Sequence, residues 1–512
     1  MRNPVPPAFR PVAAGLLTGL VSLSIPLLRD FHWESAGLAA LTATFYAAVL
    51  SAKEDNSPSA VLRKTTGMLM AWACPLLLFA LATGCFSPDG LAYWLLGPFP
   101  SMLFGWSAGR LFRLLHFRNP LRITLSVLLV TAVIPTVIEF LVFPQLFFFN
   151  HVWSYWPGPI YDELVPFDPR LISFRVLTLL WAVTLWALPG FFREKLYKWF
   201  LLPCAAGLLF SYMNLTNLGL IMPEEQIQRE LGAMHETDHF RIYYNTGTLN
   251  EDEIERFGEK HEEHLVSITD ILEIDRTVYR KEKIHSYVYS DISQKKRLTG
   301  AGQTSYVPVW ISQDQTHIAF RHLDQVLKHE LVHIAAKNFG NWFGASTSIG
   351  LIEGLAVALD PNRYHSTPDQ LVAAGEDLPG PEDLQELFSP VGFYGMAGPV
   401  SYVISGSFVG YLLENYPVDM FKTAYRTGNI GKAYAPYSVK ELAGTWRQHL
   451  KTVDTEAADR RRAVALFSTP SIFEKPCPRI EKKRDIRQRF SMGMTGPGET
   501  ARPGTAACEK RQ

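Results

Sequence analysis

Long apolar stretches dominate the first 215 residues, and no other feature constrains the fold as much. A helix needs about 20 apolar residues to cross a bilayer, where backbone polar groups have no water to bond. Seven runs approach that length: 12–28, 36–52, 66–86, 90–109, 123–149, 171–191 and 198–215. They predict an all-α transmembrane bundle of about seven helices over residues 1–215. The second run is short, and the fifth is long with Pro135 and Pro144 inside it.

Basic residues give this half an orientation. With the N-terminus inside, the inner segments carry Arg2, Arg10, Lys53, Arg63, Lys64, Arg110, Arg113, Arg118, Arg122, Arg193, Lys195 and Lys198. The opposite loops carry only Arg29 and Arg170, a clear positive-inside asymmetry. The expectation is an integral membrane protein with a cytoplasmic N-terminus and everything after about 216 outside the cytoplasm. The first run reads as a signal anchor rather than a cleaved leader, because further spans follow it. A formal net charge of +0 gives no reason to expect a nucleic-acid partner, so the bilayer is the partner this half implies. Nothing in the sequence indicates an oligomeric state. The five cysteines have neither the spacing of a disulfide framework nor that of a zinc knuckle.

Two features of this half carry expectations of their own. Glu139 and Arg175, ionisable residues inside apolar runs, are expected to pair. The outer segment "HVWSYWPGPIYDELVPFDPR", 151–170, reads first as an interfacial aromatic belt and second as a surface that docks the rest of the chain.

Residues 216–236 read as a linker and 237–467 as one water-soluble domain. Alternating segments at 239–247, 283–291, 304–312 and 316–320 predict strands. The segment 250–274 has an Asn at its start, an acidic first turn and apolar residues at helical spacing, so it predicts a helix. Helices are also expected at 321–338, 347–360, 399–415, 417–427 and 438–451. Strands followed by helices indicate an α+β domain. The basic, Pro/Gly-rich residues 468–512 read as a disordered tail.

This domain contains the pattern HExxH twice, as "MHETDHF" from 234 and "LKHELVHI" from 327. Two imidazoles share an ion only if the i, i+4 spacing is helical, which puts both on one face with Glu beside the first. "HLDQVLKHELVHIAAKNFG" meets that condition, with Val326, Leu327, Leu331, Val332, Ile334 and Ala335 surrounding the polar trio. His329 and His333 are therefore candidate metal ligands. In the other match His239 opens an alternating strand, where residues four apart lie about 13 Å apart, too far to share an ion. His261 and His264, on the helix from 250, read as a solvated or packing face. Twenty residues past His333, "STSIGLIEGLAVALD" places Glu353 amid apolar residues, where a zinc ion would supply the partner that a buried carboxylate needs.

HELVH followed by Glu353 in an "EGLA" context resembles the gluzincin metallopeptidases, the aminopeptidase-like group with a peptidase MA-like domain. The resemblance covers roughly 235–450 and rests on three short motifs. It differs from the group's pattern in having Gly350 or Leu351 where a Trp is usual, while Asp360 matches a common acidic residue. The resemblance implies a zincin-like catalytic domain that holds Zn2+ on His329, His333 and Glu353. It also implies Glu330 as general base. "GPVSYVISGSFVGYLLENYP" matches the group's Tyr segment and puts Tyr402 at the transition-state-stabilising position. Tyr394 and Tyr411 are rivals, of which Tyr411 more plausibly packs. The Gly-x-Met-Glu-Asn exopeptidase motif is missing upstream of HELVH, which points to an endopeptidase rather than an aminopeptidase. Segment 316–320 would then be the strand that binds a peptide or protein substrate by β-addition. The alternative is an inactive zinc-binding sensor or scaffold domain. A membrane-embedded HExxH protease is disfavoured, because Arg321, His322, Asp324, Lys328 and Lys337 make the motif helix too polar to span.

Overall fold

The structure is a computed structural model describing residues 9–53, 57–160, 165–191, 194–308, 313–361, 365–375, 378–471, 473, 474 and 477. The N-terminal part comprises α1 (Phe9–Ser22), α2 (Trp33–Lys53), α3 (Pro58–Thr83), α4 (Pro88–Leu96), α5 (Pro98–Leu114) and α6 (Pro120–Val142). A short hairpin, β1 (Phe148–Asn150) and β2 (Ser154–Trp156), precedes α7 (Arg170–Ala187) and α8 (Lys195–Met213).

Five helical segments are long and apolar enough to cross a membrane: α2, α3, α6, α7 with its one-turn extension to Gly190, and α8. The other two of the seven expected spans fall short. α1 has only 14 described residues. The run at 90–109 is split into α4 and α5 at Gly97–Pro98, because Pro98 has no N–H to continue the ladder. A hydropathy window averages across such a break.

No ion pair joins Glu139 to Arg175. The buried Arg175 guanidinium instead donates to Ser101 Oγ at 3.0 Å and to the Asn150 carbonyl at 2.7 Å. Beyond α3, Cys85 forms a disulfide with Cys477, their α-carbons 5.7 Å apart. Sequence spacing could not show this bond, because it joins positions 392 apart. It ties one residue of the presumed tail back to the bundle; residues 478–512, where disorder was expected, lie outside the described residues.

The stretch expected as a linker holds a helix, α9 (Glu224–Leu231), and a strand, β3 (Ala233–Glu236). Then follow β4 (Phe240–Tyr244), α10 (Glu251–Ile271), α11 (Thr277–Lys281), β5 (Ile284–Tyr289), α12 (Ile292–Thr299) and β6 (Gln315–Ala319). Helices complete the domain: α13 (Leu323–Ala336), α14 (Ile349–Leu359), α15 (Pro368–Ala373), α16 (Pro381–Leu387) and α17 (Gly398–Asn415). The last are α18 (Val418–Thr427), α19 (Ile430–Ala433), α20 (Val439–Leu450) and α21 (Ala457–Phe467).

The sheet has the order β3-β4-β5-β6, with β3 antiparallel to β4 and the other neighbours parallel. Parallel neighbours need crossovers, and α10 and α12 with the segment after it supply them. Asn250 and Glu253 close a capping box at the start of α10, and Asp291 caps α12. The expected strand at 304–312 reduces, among the described residues, to one antiparallel bridge between Tyr306 and His317.

The two faces of the sheet bury different things. On one, Phe240, Ile242, Ile284, Val288 and Ile318 join the core under α10 and α13. On the other, the rings of Tyr243, Tyr287, His317 and Tyr306 stack in sequence, with centroids 5.1, 4.8 and 4.7 Å apart. Burial holds His317 well below its ordinary pKa; its Nε2 faces the acceptor Gln315 Oε1 at 3.2 Å, which leaves Nδ1 to accept the Tyr289 hydroxyl at 2.8 Å. This face is where the part after α8 meets the N-terminal helices. Tyr287, Tyr289 and Leu298 share one apolar cluster with Phe147, Phe149 and Tyr93. The Tyr306 hydroxyl donates to the Pro144 carbonyl at 2.7 Å, and Leu146 N–H to the Thr299 carbonyl at 2.6 Å. These contacts come from residues 144–149, just before the segment 151–170 that was expected to dock; from that segment Ile160 packs with Ala301 and Tyr306, and the Arg170 guanidinium donates to the Arg297 carbonyl at 3.3 Å.

Candidate metal centre

α13 and α14 cross so that their polar residues meet inside an apolar shell. α13 buries Val326, Leu327, Leu331, Val332 and Ile334 in the domain core, which fixes its rotation and turns His329 and His333 to the same side. Ser348 caps α14 by accepting the Leu351 N–H at 3.3 Å. Gly354 lets α14 lie close to α17, since a Cβ there would sit 2.8 Å from the Ser405 carbonyl oxygen. Gly406 does the same from α17, where a Cβ would meet Val357 Cγ1 at 2.3 Å. These contacts account for the small residues around Glu353 and in "SGS": they set the depth at which the carboxylate enters the site.

Glu353 Oε2 lies 3.3 Å from His329 Nε2 and 3.5 Å from His333 Nε2. One ligand atom from each of the three residues falls within 4.8 Å of the others, the one such His/Cys/Asp/Glu group among the described residues. Four ligands at about 2.0–2.1 Å around zinc stand about 3.4 Å apart along a tetrahedral edge, close to both distances. Glu353 Oε2 and His333 Nδ1 are buried without a hydrogen-bond partner, and a cation between the three donors would satisfy the carboxylate. The residues present are of the kinds that hold zinc, and both separations from Glu353 Oε2 suit a shared ion.

The electrostatics agree with this geometry. Burial works to raise the Glu353 pKa, but the charges of His333 and His329 hold it well below the usual carboxylate range. Burial pulls His333 down, yet the Glu353 carboxylate outweighs it and holds His333 above its ordinary value. Glu330, beside His329, is buried.

Of the tyrosines, Tyr402 on α17 has its ring centroid 6.3 Å from that of His329 and is braced edge-on by Phe393 at 5.2 Å. Tyr394 also borders the site, its phenol pushed up by burial and then by the Glu353 charge. Tyr411 is a core residue against His449 and Tyr416. Tyr425 on α18 was missed by sequence reading. It is buried and its phenol too is raised by burial and by Glu353, but nothing in "FKTAYRTG" distinguishes it from an ordinary helix-face tyrosine.

The twin motif lies elsewhere. His235 is in β3 and His239 follows the β3–β4 turn, where its Nδ1 meets Glu262 Oε2 at 2.6 Å. Both line an open cleft of about 790 Å³ with Glu255, Glu259 and Arg280. His261 is a core histidine that bonds the Phe257 carbonyl and Ser286 Oγ, and burial pushes its pKa down to about 4.

The expected substrate strand differs from expectation in one respect. β6 is the sheet's edge strand, but at His317 its outward N–H and C=O are already bonded to Tyr306, at 3.0 and 3.4 Å. Ala319, two residues on and next to the start of α13, shares that outward side.

No protein-family model matches this chain, and no curated protein is similar to it.

Proposed function

We propose that the chain is a membrane-anchored zinc metallopeptidase that cleaves within peptide chains on the extracytoplasmic side. The observation that carries this reading is the convergence of His329 and His333 on Glu353 Oε2, at 3.3 and 3.5 Å, with Glu330 buried beside them. A zinc ion bound there supplies a Lewis acid and makes water acidic enough to be deprotonated near neutral pH. Glu330 takes the proton of the attacking water and later delivers it to the leaving amine. The Tyr402 hydroxyl donates to the oxygen that gains charge as the carbonyl becomes tetrahedral. The α14–α17 contact holds Glu353 and Tyr402 in fixed relation, so neither needs to reorganise as charge develops.

The placement is supported by two independent features. The arginine and lysine asymmetry, counted over the seven apolar runs, favours an outside position for the domain. The Cys85–Cys477 disulfide suits an oxidising compartment, and it joins the outer end of α3, in that orientation, to the domain's C-terminal side.

The test is digestion of an unfolded protein by the full-length chain in detergent. Internal cleavage that disappears on chelation, returns with zinc and is absent from Glu330→Gln is the expected result. A wild-type chain that binds zinc yet leaves varied peptides intact would instead favour a zinc-binding scaffold.

A further inference from the structure

The loop from α13 to α14 contains a tight turn with two aromatic residues at its apex. Gly344 N–H donates to the Asn341 carbonyl at 2.8 Å, and Asn341 N–H to that of Ala345 at 2.9 Å. Phe343 N–H donates to Asn341 Oδ1 at 2.8 Å. Gly344 has φ +75°, and a Cβ on Gly340 would lie 2.3 Å from the Gly344 carbonyl carbon, so the turn depends on both glycines. Between them, where turns favour Asn, Asp, Ser or Gly, stand Trp342, 76% exposed, and Phe343, 37% exposed. A rigid turn that displays an indole and a phenyl ring breaks the local rule, and such breaks concentrate where a surface binds something.

The fold says what lies beside it. Lys337, at the end of α13, donates to the Gln313 carbonyl at 2.7 Å, and Gln313 Nε2 donates to the Leu141 carbonyl, in the last turn of α6, at 3.4 Å. The turn begins four residues after Lys337. α6 exposes Val130, Val133, Val137, Ile138 and Val142 along its length, as a lipid-facing helix does. The end of the domain that carries the turn therefore adjoins the outer end of a lipid-facing span. α11, held to Asn338 through the Tyr279 hydroxyl, adds the exposed Val278, Arg280 and Lys281 nearby.

We propose that the Trp342–Phe343 turn is an interfacial anchor seated in the headgroup region of the bilayer that the bundle spans. Trp settles at that depth because its ring is apolar and its N–H still finds a polar partner. The turn is already ordered, so insertion costs little conformational freedom. With the docked outer segment, it would hold the α13–α14 pair at a set height above the lipid. The inference rests on reading the five long helices as membrane spans.

The test uses the full-length chain with Cys74, Cys204 and Cys508 replaced by Ser, and Cys85 and Cys477 kept. A spin label is placed at Trp342→Cys or Phe343→Cys, with Lys440→Cys, on an exposed position of α20, as the aqueous reference. The proteins are inserted in phosphatidylcholine nanodiscs, and an unchanged thermal midpoint shows that each variant is folded. At 342 and 343, collisions with oxygen, which concentrates in lipid, should exceed those with a water-soluble nickel chelate several-fold, and the reverse should hold at 440. Nickel exceeding oxygen at 342 and 343 in inserted protein overturns the proposal, as does dipolar broadening that shows a second copy covering the turn. A chain that fails to enter the discs at all removes the membrane reading with it.

Discussion

Glu353 turns one carboxylate oxygen toward two histidines, at 3.3 and 3.5 Å, and that arrangement sets what single substitutions should do. Replacing His329, His333 or Glu353 should abolish zinc binding, whereas Glu330→Gln should retain zinc and lower kcat by about 10²–10⁴, the usual contribution of a general base. Tyr402→Phe should also retain zinc and lose about 10²–10³ in kcat with little change in KM, the cost of one oxyanion donor. An equal loss from Tyr394→Phe with Tyr402→Phe silent would exchange their roles. The same ion pair predicts a pH dependence. His333 is held above its ordinary value, so zinc has to displace its proton. Zinc affinity should fall as pH drops through that value, and calorimetry in buffers of different ionisation heat should record proton release. In the metal-free protein the signs differ by group. The His333 contribution to stability is complete below about 6.5 and lost as pH rises through its raised value. The Glu353 contribution is present above about 4.5 and lost only in strong acid. The meeting of His329, His333 and Glu353 was legible in the sequence because i, i+4 spacing and a lone carboxylate in an apolar run leave few alternatives. Tyr425 was not, since its relation to Glu353 exists only after α18 folds against α14.

At the scale of elements, the glycines between α14 and α17 decide how closely the two helices pack. Gly354→Val would drive a branched side chain into the Ser405 carbonyl, and overpacking of this kind costs about 1–3 kcal/mol. Chemical denaturation should show the loss, together with weaker zinc binding, while Gly444→Ala on α20, where a Cβ meets nothing, should not destabilise. Most helices of this part were legible: α10, α13, α14, α17, α18 and α20 all lie where they were expected, within a few residues, although α17 is buried nearly all round rather than on one face. The failures have definite causes. β3 alternates half-buried and exposed residues on the edge of the sheet and has too few apolar positions to be noticed. The stretch at 304–312 alternates like a strand, yet its one described pairing is at Tyr306, which bonds the bundle as well as the sheet.

At the scale of the whole molecule, the docking of the domain on the segment after α6 was at most a secondary expectation. Its Tyr306–Pro144 and Gln313–Leu141 hydrogen bonds join residues 162 and 172 apart, beyond the reach of any local pattern. Gly300 (φ +89°) lies against Leu146, where a Cβ would sit 2.6 Å from the carbonyl oxygen. Gly300→Val should therefore loosen the junction, seen as faster hydrogen exchange across 299–306, while zinc stays bound at α13 and α14. The most direct test of the metal centre is elemental analysis of the purified full-length chain, comparing wild type with His329→Ala and His235→Ala. About one zinc per chain, lost with His329→Ala and kept with His235→Ala, is the predicted result. Folded wild-type protein without zinc, or zinc lost through His235 instead, would contradict it.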